Sequence, residues 1–339
     1  MKQGHIWIGI GISLALVVYL FSKVDYSQLW RSLASADGTL LGLAGLLLAT
    51  TFAIRSWRWQ YLLRPLRQVR FSSLMAATSI GLMANMIFPA RLGELVRALV
   101  LGRRERMEAS ASFATIIVER LIDGFTILLM LAALLLTASL PLGKSWEQAL
   151  RWGGLITLTG YLGVFALLYY LHRSTAHALD GVQRLGRRLP GHWVDNLSGI
   201  LISFSEGLQT FSQRKYLGQI IISSVILWAA IGLFNFLVVL AFKLQLPLTV
   251  GFLLLVFQAF AVMIPSSPGF VGTYHAASVA CLSLWGVSPE VALSVALVMH
   301  AITFLLTVGM GLGYLWSVGA TLRDFTQSKI TAPPSSSPL

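Results

Sequence analysis

Apolar residues in this chain fall into long, unbroken runs, not into the short alternating stretches of a half-buried sheet. Ile6–Phe21, Thr126–Leu140, Leu155–Leu171, Ile220–Phe242 and Val291–Trp316 are the clearest. A bilayer core is about 30 Å thick and takes roughly 20 apolar residues of helix to cross. Runs without strand-like alternation predict helices and not a barrel. Composition agrees: 56% of the 339 residues are hydrophobic and 11% charged, against about 25% charged in a soluble domain. Ile6–Phe21 is long for a signal-peptide core and leads into Ser22-Lys23-Val24-Asp25, not a small-residue cleavage site, so it reads as a retained first span.

Basic residues orient the runs, because cytoplasmic loops of membrane proteins collect Lys and Arg. Arg55, Arg58, Arg64, Arg67 and Arg70 mark the cytoplasmic end of a span at about 38–57. Ser72–Phe88 is long enough to cross, yet crossing would put Arg97, Arg103, Arg104 and Arg106 outside. A break at Pro89-Ala90-Arg91-Leu92-Gly93 resolves the conflict, with the chain turning at mid-depth and returning through about 91–107. A span at about 110–139 then leads out and one at about 149–171 leads back. Residues 172–216, partly amphipathic and broken at Pro190-Gly191, lie along the cytoplasmic surface. A span at 217–242 exits. A second interrupted pair, about 249–264 and 272–286, breaks at Pro265-Ser266-Ser267-Pro268-Gly269 and enters from the opposite face; a last span covers about 290–317.

The predicted architecture is therefore all-α and integral to the membrane, with six full spans and two re-entrant hairpins of opposite sidedness. It forms one membrane domain over 1–320, with repeat one at about 5–140, repeat two at about 149–317, and a disordered tail at 321–339. The halves run in opposite directions, and both breaks place proline and glycine four apart (Pro89/Gly93, Pro265/Gly269). Inverted repeats with discontinuous helices place substrate at the repeat interface. Helices that begin at mid-depth, near Arg91 and Val271, would also offer backbone N–H groups to an anion.

Charge within the membrane narrows the chemistry, since ionisable residues there are costly and mark function by default. Arg91, Glu94 and Arg97 share a face of the returning helix, and Glu119, Arg120 and Asp123 sit together on the next span. One reading has Arg91 or Arg120 holding an anionic headgroup; the other is a salt-bridge lattice pinning the hairpin, with Arg97 the more structural of the set. The second hairpin contributes mostly neutral groups, Ser266, Ser267, Gly269, Thr273 and Tyr274, with His275 and, on the last span, His300, whose imidazoles titrate near neutrality when unperturbed. Asn85 and Gln258 precede the breaks and suit structural bridging. Trp7, Trp57, Trp59, Trp146, Trp152 and Trp316 lie near span ends as interface anchors. The lone Cys281 gives no disulfide framework or thiolate metal site, and no cofactor motif, phosphate-binding glycine loop or His-Glu-x-x-His occurs. The net charge of +12 fits topology and anionic lipid, not nucleic acid.

Asn85-Met86-Ile87-Phe88-Pro89-Ala90-Arg91-Leu92-Gly93-Glu94 with Arg97, Glu119-Arg120-x-x-Asp123, and Pro265-x-x-Pro268-Gly269-x-x-Gly272 together resemble the lysylphosphatidylglycerol synthase transmembrane-region family, over roughly 5–320. The resemblance implies movement of a lipid between leaflets. In the best-known relatives this region precedes a soluble aminoacyl-transferase domain, which this sequence does not contain. Phe270 and His275 stand where the family pattern has a glycine and an acidic residue. The function expected is a translocase for an anionic or zwitterionic phospholipid or a polyprenyl-phosphate-type lipid, in the inner membrane of a prokaryote with both termini cytoplasmic. The expected partners are membrane lipids with phosphate headgroups, lipid-synthesis enzymes and a second copy of the chain. The competing readings are a membrane-embedded lipid-modifying enzyme, with Glu119 or His300 as base, and a scaffold acting through 172–216.

Overall fold

The computed structural model describes residues 4–88, 92–138, 140–141, 143–173, 198–199, 202, 214–264 and 266–318. The expected surface segment at 172–216 and the tail at 321–339 lie mostly or wholly outside these. Among the described residues the chain is helical with no strand. The helices are α1 (Gly4–Ser22), α2 (Tyr26–Ala34), α3 (Gly38–Leu63), α4 (Phe71–Ile87), α5 (Gly93–Glu105) and α6 (Ala109–Thr137). They continue with α7 (Lys144–Arg173), α8 (Leu217–Ala241), α9 (Thr249–Ala261), α10 (Thr273–Ser283) and α11 (Pro289–Val318).

Among the described residues five helices (α3, α6, α7, α8 and α11) are long and apolar enough to cross a membrane, and α1 with α2 makes a sixth candidate bent by 91°. Their outward faces carry Leu14, Val18, Leu46, Leu129, Leu136, Ile156, Ile221 and Leu305, all well exposed. So large an apolar exterior needs lipid around it. The segment between the first run and the span at about 38–57 holds α2. Its start is fixed by Asp25, whose carboxylate accepts from the Ser27 and Gln28 N–H groups at 2.7 and 3.2 Å.

The remaining helices are short because the sequence stops them. Phe88 precedes Pro89, a position forced out of helical geometry, and its backbone is extended (φ −96, ψ 144). Beyond the second break, Gly269 (φ 71) and Gly272 (φ 92) take conformations that L side chains resist. At about 1.5 Å per residue, α5 and α9, with 13 residues each, reach about 20 Å, short of a full crossing. Helices α4 and α5 run antiparallel: Gly81 lies against Gly93 and Arg97, and Asn85 against Gly93.

The packing repeats. Exchanging α3, α4, α5 and α6 for α8, α9, α10 and α11 turns each observed packing pair of these helices into another one. Thus α4–α5 answers to α9–α10, α5–α6 to α10–α11, α3–α4 to α8–α9, and α4–α11 to α9–α6; α3–α8 maps onto itself. Helices α3 and α8 are antiparallel, with Asp37 N–H donating to the Ala241 carbonyl (2.9 Å) at one end and Arg58 meeting Ser224 at the other. The helix contacts are thus unchanged by the exchange of the two sets of four helices. Two larger apolar cores form, and both halves contribute to each. One gathers Leu62, Leu74, Ile80, Leu101 and Ile116 with Ile220 and Leu315; the other gathers Phe234, Leu253, Val256, Leu282 and Met299 with Leu48, Leu131 and Leu134.

The tightest join is at the first hairpin. A Cβ on Gly93 would overlap the Gly81 carbonyl oxygen and lie 2.5 Å from Asn85 Oδ1. Replacing Gly93 by Ala should destabilise the protein by about 1–3 kcal/mol, the usual range for overpacking. A lowered melting temperature of the purified protein in detergent would show it, and an unchanged one would refute the close approach.

Candidate functional site

Helix α6 carries Glu119, Arg120 and Asp123 within one turn, and three other helices bring partners to them. Glu119 is fully buried. Its carboxylate takes Arg58 of α3 at 2.9 Å, Arg97 of α5 at 2.9 Å and Arg120 at 3.3 Å. Asp123 takes Arg58 at 2.6 Å and Arg120 at 3.5 Å, and accepts from Trp228 Nε1 of α8 at 3.1 Å. Glu94 of α5 completes the set, 3.6 Å from Arg120 and 3.4 Å from Asn85 Nδ2. Arg58 also donates to Ser224 Oγ at 3.1 Å. Arg97 is held face-on by Trp59, its guanidinium carbon 3.8 Å from the ring centre, and Trp59 Nε1 donates to Thr115 Oγ1 at 2.9 Å. Arg58, Arg97 and Arg120 thus balance Glu94, Glu119 and Asp123, and the lattice is neutral.

Three residues move from where the sequence put them; one is Arg55, counted with the cytoplasmic arginines but eight residues before the end of α3 and facing a cavity. Arg58 was counted with the cytoplasmic arginines, and Trp59 with the interface anchors. Both are completely buried. Arg58 lies five residues before the end of α3, and the two carboxylates of α6, four apart on one face, reach across to it. Charge counted along a sequence cannot separate an arginine at a helix end from one a turn and a half further in.

A cavity of about 360 Å³ opens beside this lattice, between the two repeats. Glu94, Arg120 and Asp123 face it, with Arg55, Thr51 and Asn85 from repeat one; Trp228, Asn235, Gln258, Phe270, Tyr274 and Thr303 supply the other wall. Arg97 and Glu119 stand immediately behind the lattice residues and do not line it. Arg91 lies outside the described residues. Ser267, Gly269, Thr273, His275 and His300 are also absent from the lining. They organise the second break instead. Ser267 N–H donates to Ser13 Oγ of α1 at 2.8 Å, Thr273 Oγ1 donates to the Phe270 carbonyl at 3.3 Å, and His275 stacks on His300 with centroids 4.8 Å apart. The helix starts expected to offer N–H groups are partly taken. Gly93 N–H donates to Asn85 Oδ1 at 2.8 Å, and Gly272 N–H to His275 Nδ1 at 3.3 Å. Asn235, Gln258 and Ser278 form a neutral chain between α8, α9 and α10, at 3.1 and 3.2 Å. Among the described residues no group of His, Cys, Asp and Glu could hold a metal ion.

The family model for the lysylphosphatidylglycerol synthase transmembrane region matches residues 6–311, taking in both hairpins and the whole lattice. This chain belongs to that family. Within the family's range of sequences it is 25% identical to the glycosyltransferase AglD of Haloferax volcanii, over 93% of this chain and 54% of that protein. The chain therefore spans about half the length of that relative. It is 24% identical to a UPF0104 membrane protein of Methanothermobacter thermautotrophicus, over 97% of this chain and 99% of that protein. Another UPF0104 membrane protein, from Methanocaldococcus jannaschii, is 21% identical over 88% and 91%. Membership makes this a multi-pass membrane protein, as the apolar exterior requires.

Removing one partner of a buried ion pair leaves an uncompensated charge and costs about 3–5 kcal/mol. Arg58→Gln and Glu119→Gln should each destabilise the protein on that scale. In the double variant the two losses should fall well short of adding, because the shared pair is removed once. Melting temperatures of the three variants in detergent test this; full additivity would show that the two side chains are not coupled.

Proposed function

We propose that this protein moves a lipid with an anionic headgroup between leaflets, the headgroup passing through the cavity between the repeats. The observation that carries this reading is the cavity's position. It is walled by both repeats, charged on the side of the α6 lattice and apolar or neutral elsewhere, in a protein whose exterior is apolar. A polar headgroup could sit there while its acyl chains stay in lipid. Two short hairpins of opposite sidedness, each ending against the cavity, would let access alternate as one repeat rocks on the other. The headgroup must bind the inward and outward forms unequally at successive steps for the equilibrium to shift.

The family's name connects it to lipid, and the name of the Haloferax relative connects that protein to glycan transfer. Lipid-linked glycan assembly is thus a fitting context for the cargo. A chemical role for Glu119 as a base is harder to support, since three arginines surround its buried carboxylate. We place the chain in the inner membrane of a prokaryote with both termini cytoplasmic, on the distribution of its arginines.

Two measurements test this. In proteoliposomes read leaflet by leaflet, the wild-type protein should accelerate translocation of an anionic lipid. Glu94→Gln and Arg120→Gln should slow it by about tenfold or more, the value of a lost charge-assisted hydrogen bond. Unaccelerated movement of every headgroup offered would end the translocase reading. For orientation, with Cys281 replaced, cysteines at Ser27 and Gln148 should label from outside the cell and one at Glu105 only after permeabilisation. The opposite pattern would invert the topology.

A further inference from the structure

Four charged side chains reach the cavity: Arg55, Glu94, Arg120 and Asp123. Three of them belong to the lattice, whose charges cancel. Arg55 stands apart. Among the described residues no carboxylate lies within 4 Å of its guanidinium, while all the other arginines at this level have one or more. It sits 5.8 Å from the ring centre of Trp228, a cation–π contact that leaves its hydrogen-bond donors for other partners. Leu48, Thr51 and Phe52, one and two turns earlier on the same face of α3, line the same cavity. Among the described residues, therefore, the cavity carries one positive charge that no carboxylate within 4 Å cancels. An uncompensated cation in an apolar wall is costly, and a bound anion removes that cost.

The remaining wall sets the rest of the headgroup's chemistry. It offers neutral hydrogen-bonding groups (Thr51, Asn235, Gln258, Thr303) beside aromatic faces (Trp228, Tyr274). Such a mixture suits hydroxyls on a carbon framework. An amine finds no match, because Glu94 and Asp123 are both already paired with arginine. A volume of about 360 Å³ is near the lower end of the roughly 300–1,000 Å³ typical of small-molecule sites, so one headgroup fills it.

We infer that the cavity selects a lipid whose headgroup is a singly charged phosphodiester carrying a neutral, hydroxylated group, with Arg55 as the counter-ion of the phosphate. Aminoacylated and zwitterionic headgroups are disfavoured. The inference rests on the proposed function only in taking the cavity as the place where the headgroup sits. Two kinds of lipid share this chemistry, phosphatidylglycerol and a hexose joined to polyprenyl phosphate.

Native mass spectrometry of the full chain in detergent, titrated with defined lipids, tests it without requiring transport. The lipids are phosphatidylglycerol, a polyprenyl-phosphate hexose, phosphatidylethanolamine and lysylphosphatidylglycerol. One or both of the first two should bind at least about tenfold more tightly than the last two, and whichever binds more tightly identifies the source. Arg55→Gln should abolish that margin and Arg55→Lys should keep most of it. Both variants should melt no lower than wild type, since no native ion pair is lost, in contrast to Arg58→Gln. Equal binding of all four lipids would overturn the inference. So would a preference that survives Arg55→Gln, or a fall in the melting temperature of Arg55→Gln comparable to that of Arg58→Gln. Selective binding without translocation would sink the proposed function and leave this inference standing; translocation without headgroup preference would do the reverse.

Discussion

Glu119 is a carboxylate at zero exposure in a membrane protein, and three arginines from α3, α5 and α6 converge on it. Desolvating such a charge without partners would cost several kcal/mol, and more where no water is near. The geometry of repeat one follows from meeting that cost. Arg58 must come in from α3, which fixes how far α3 slides along α6. Arg97 must come in from α5, which requires the chain to turn back after α4. The Gly81–Gly93 contact lets the hairpin close tightly enough for Arg97 to reach. Asp123 extends the same restraint to α8 through Trp228, so the lattice also holds one helix of the other repeat.

The second repeat has the same helix arrangement without the charge. With Arg120 laid over His300, Glu119 and Asp123 fall over Met299 and Thr303. In place of ion pairs, α8, α9 and α10 are joined by Asn235, Gln258 and Ser278, and by apolar packing around Phe234, Val256 and Met299. Neutral hydrogen bonds and apolar contacts are individually worth about 1 kcal/mol and exchange readily for others. A buried ion lattice does not. Corresponding helices thus pack in the same pairs but are joined differently, by ion pairs in one half and by neutral hydrogen bonds in the other, with residues of both halves lining the cavity.

Much of this was legible in the residues. The hairpins followed from arginines that a straight crossing would have stranded outside, and from Pro89 and Pro265 with glycine four residues on. Their helices lie within a few residues of the expected ranges. The α6 triplet with Glu94 and Arg97 was legible because ionisable residues deep in an apolar run are rare. Arg58 was not, because it sits among Arg55, Arg64, Arg67 and Arg70, and only the facing helix shows which of them is inside. On the second hairpin, polarity pointed to Ser267, Thr273, Tyr274 and His275; Ser267, Thr273 and His275 satisfy backbone at the break, and Tyr274 faces the cavity. Phe270, which polarity could not single out, faces it as well. At a break the local geometry, and not a periodic face, decides which side chain points inward, and a short loop leaves no period to read.

The division of labour among the arginines follows from charge balance. A lattice that is neutral by itself can hold the fold whether or not a ligand is present, so its residues need not respond to the headgroup. Arg55 is only three residues before Arg58 on α3, yet it faces the cavity with no carboxylate of its own. Placed inside the lattice it would need a fourth carboxylate and would lose its availability to an anion. Placed at the cytoplasmic end of α3 it would be one more topological charge, screened by water and headgroups. Eight residues before the end of α3, further in than Arg58, it is desolvated enough for an anion to matter and makes no ion pair of the lattice. One turn of helix α3 therefore separates an arginine bound into the lattice from one that faces the cavity without an ion pair among the described residues.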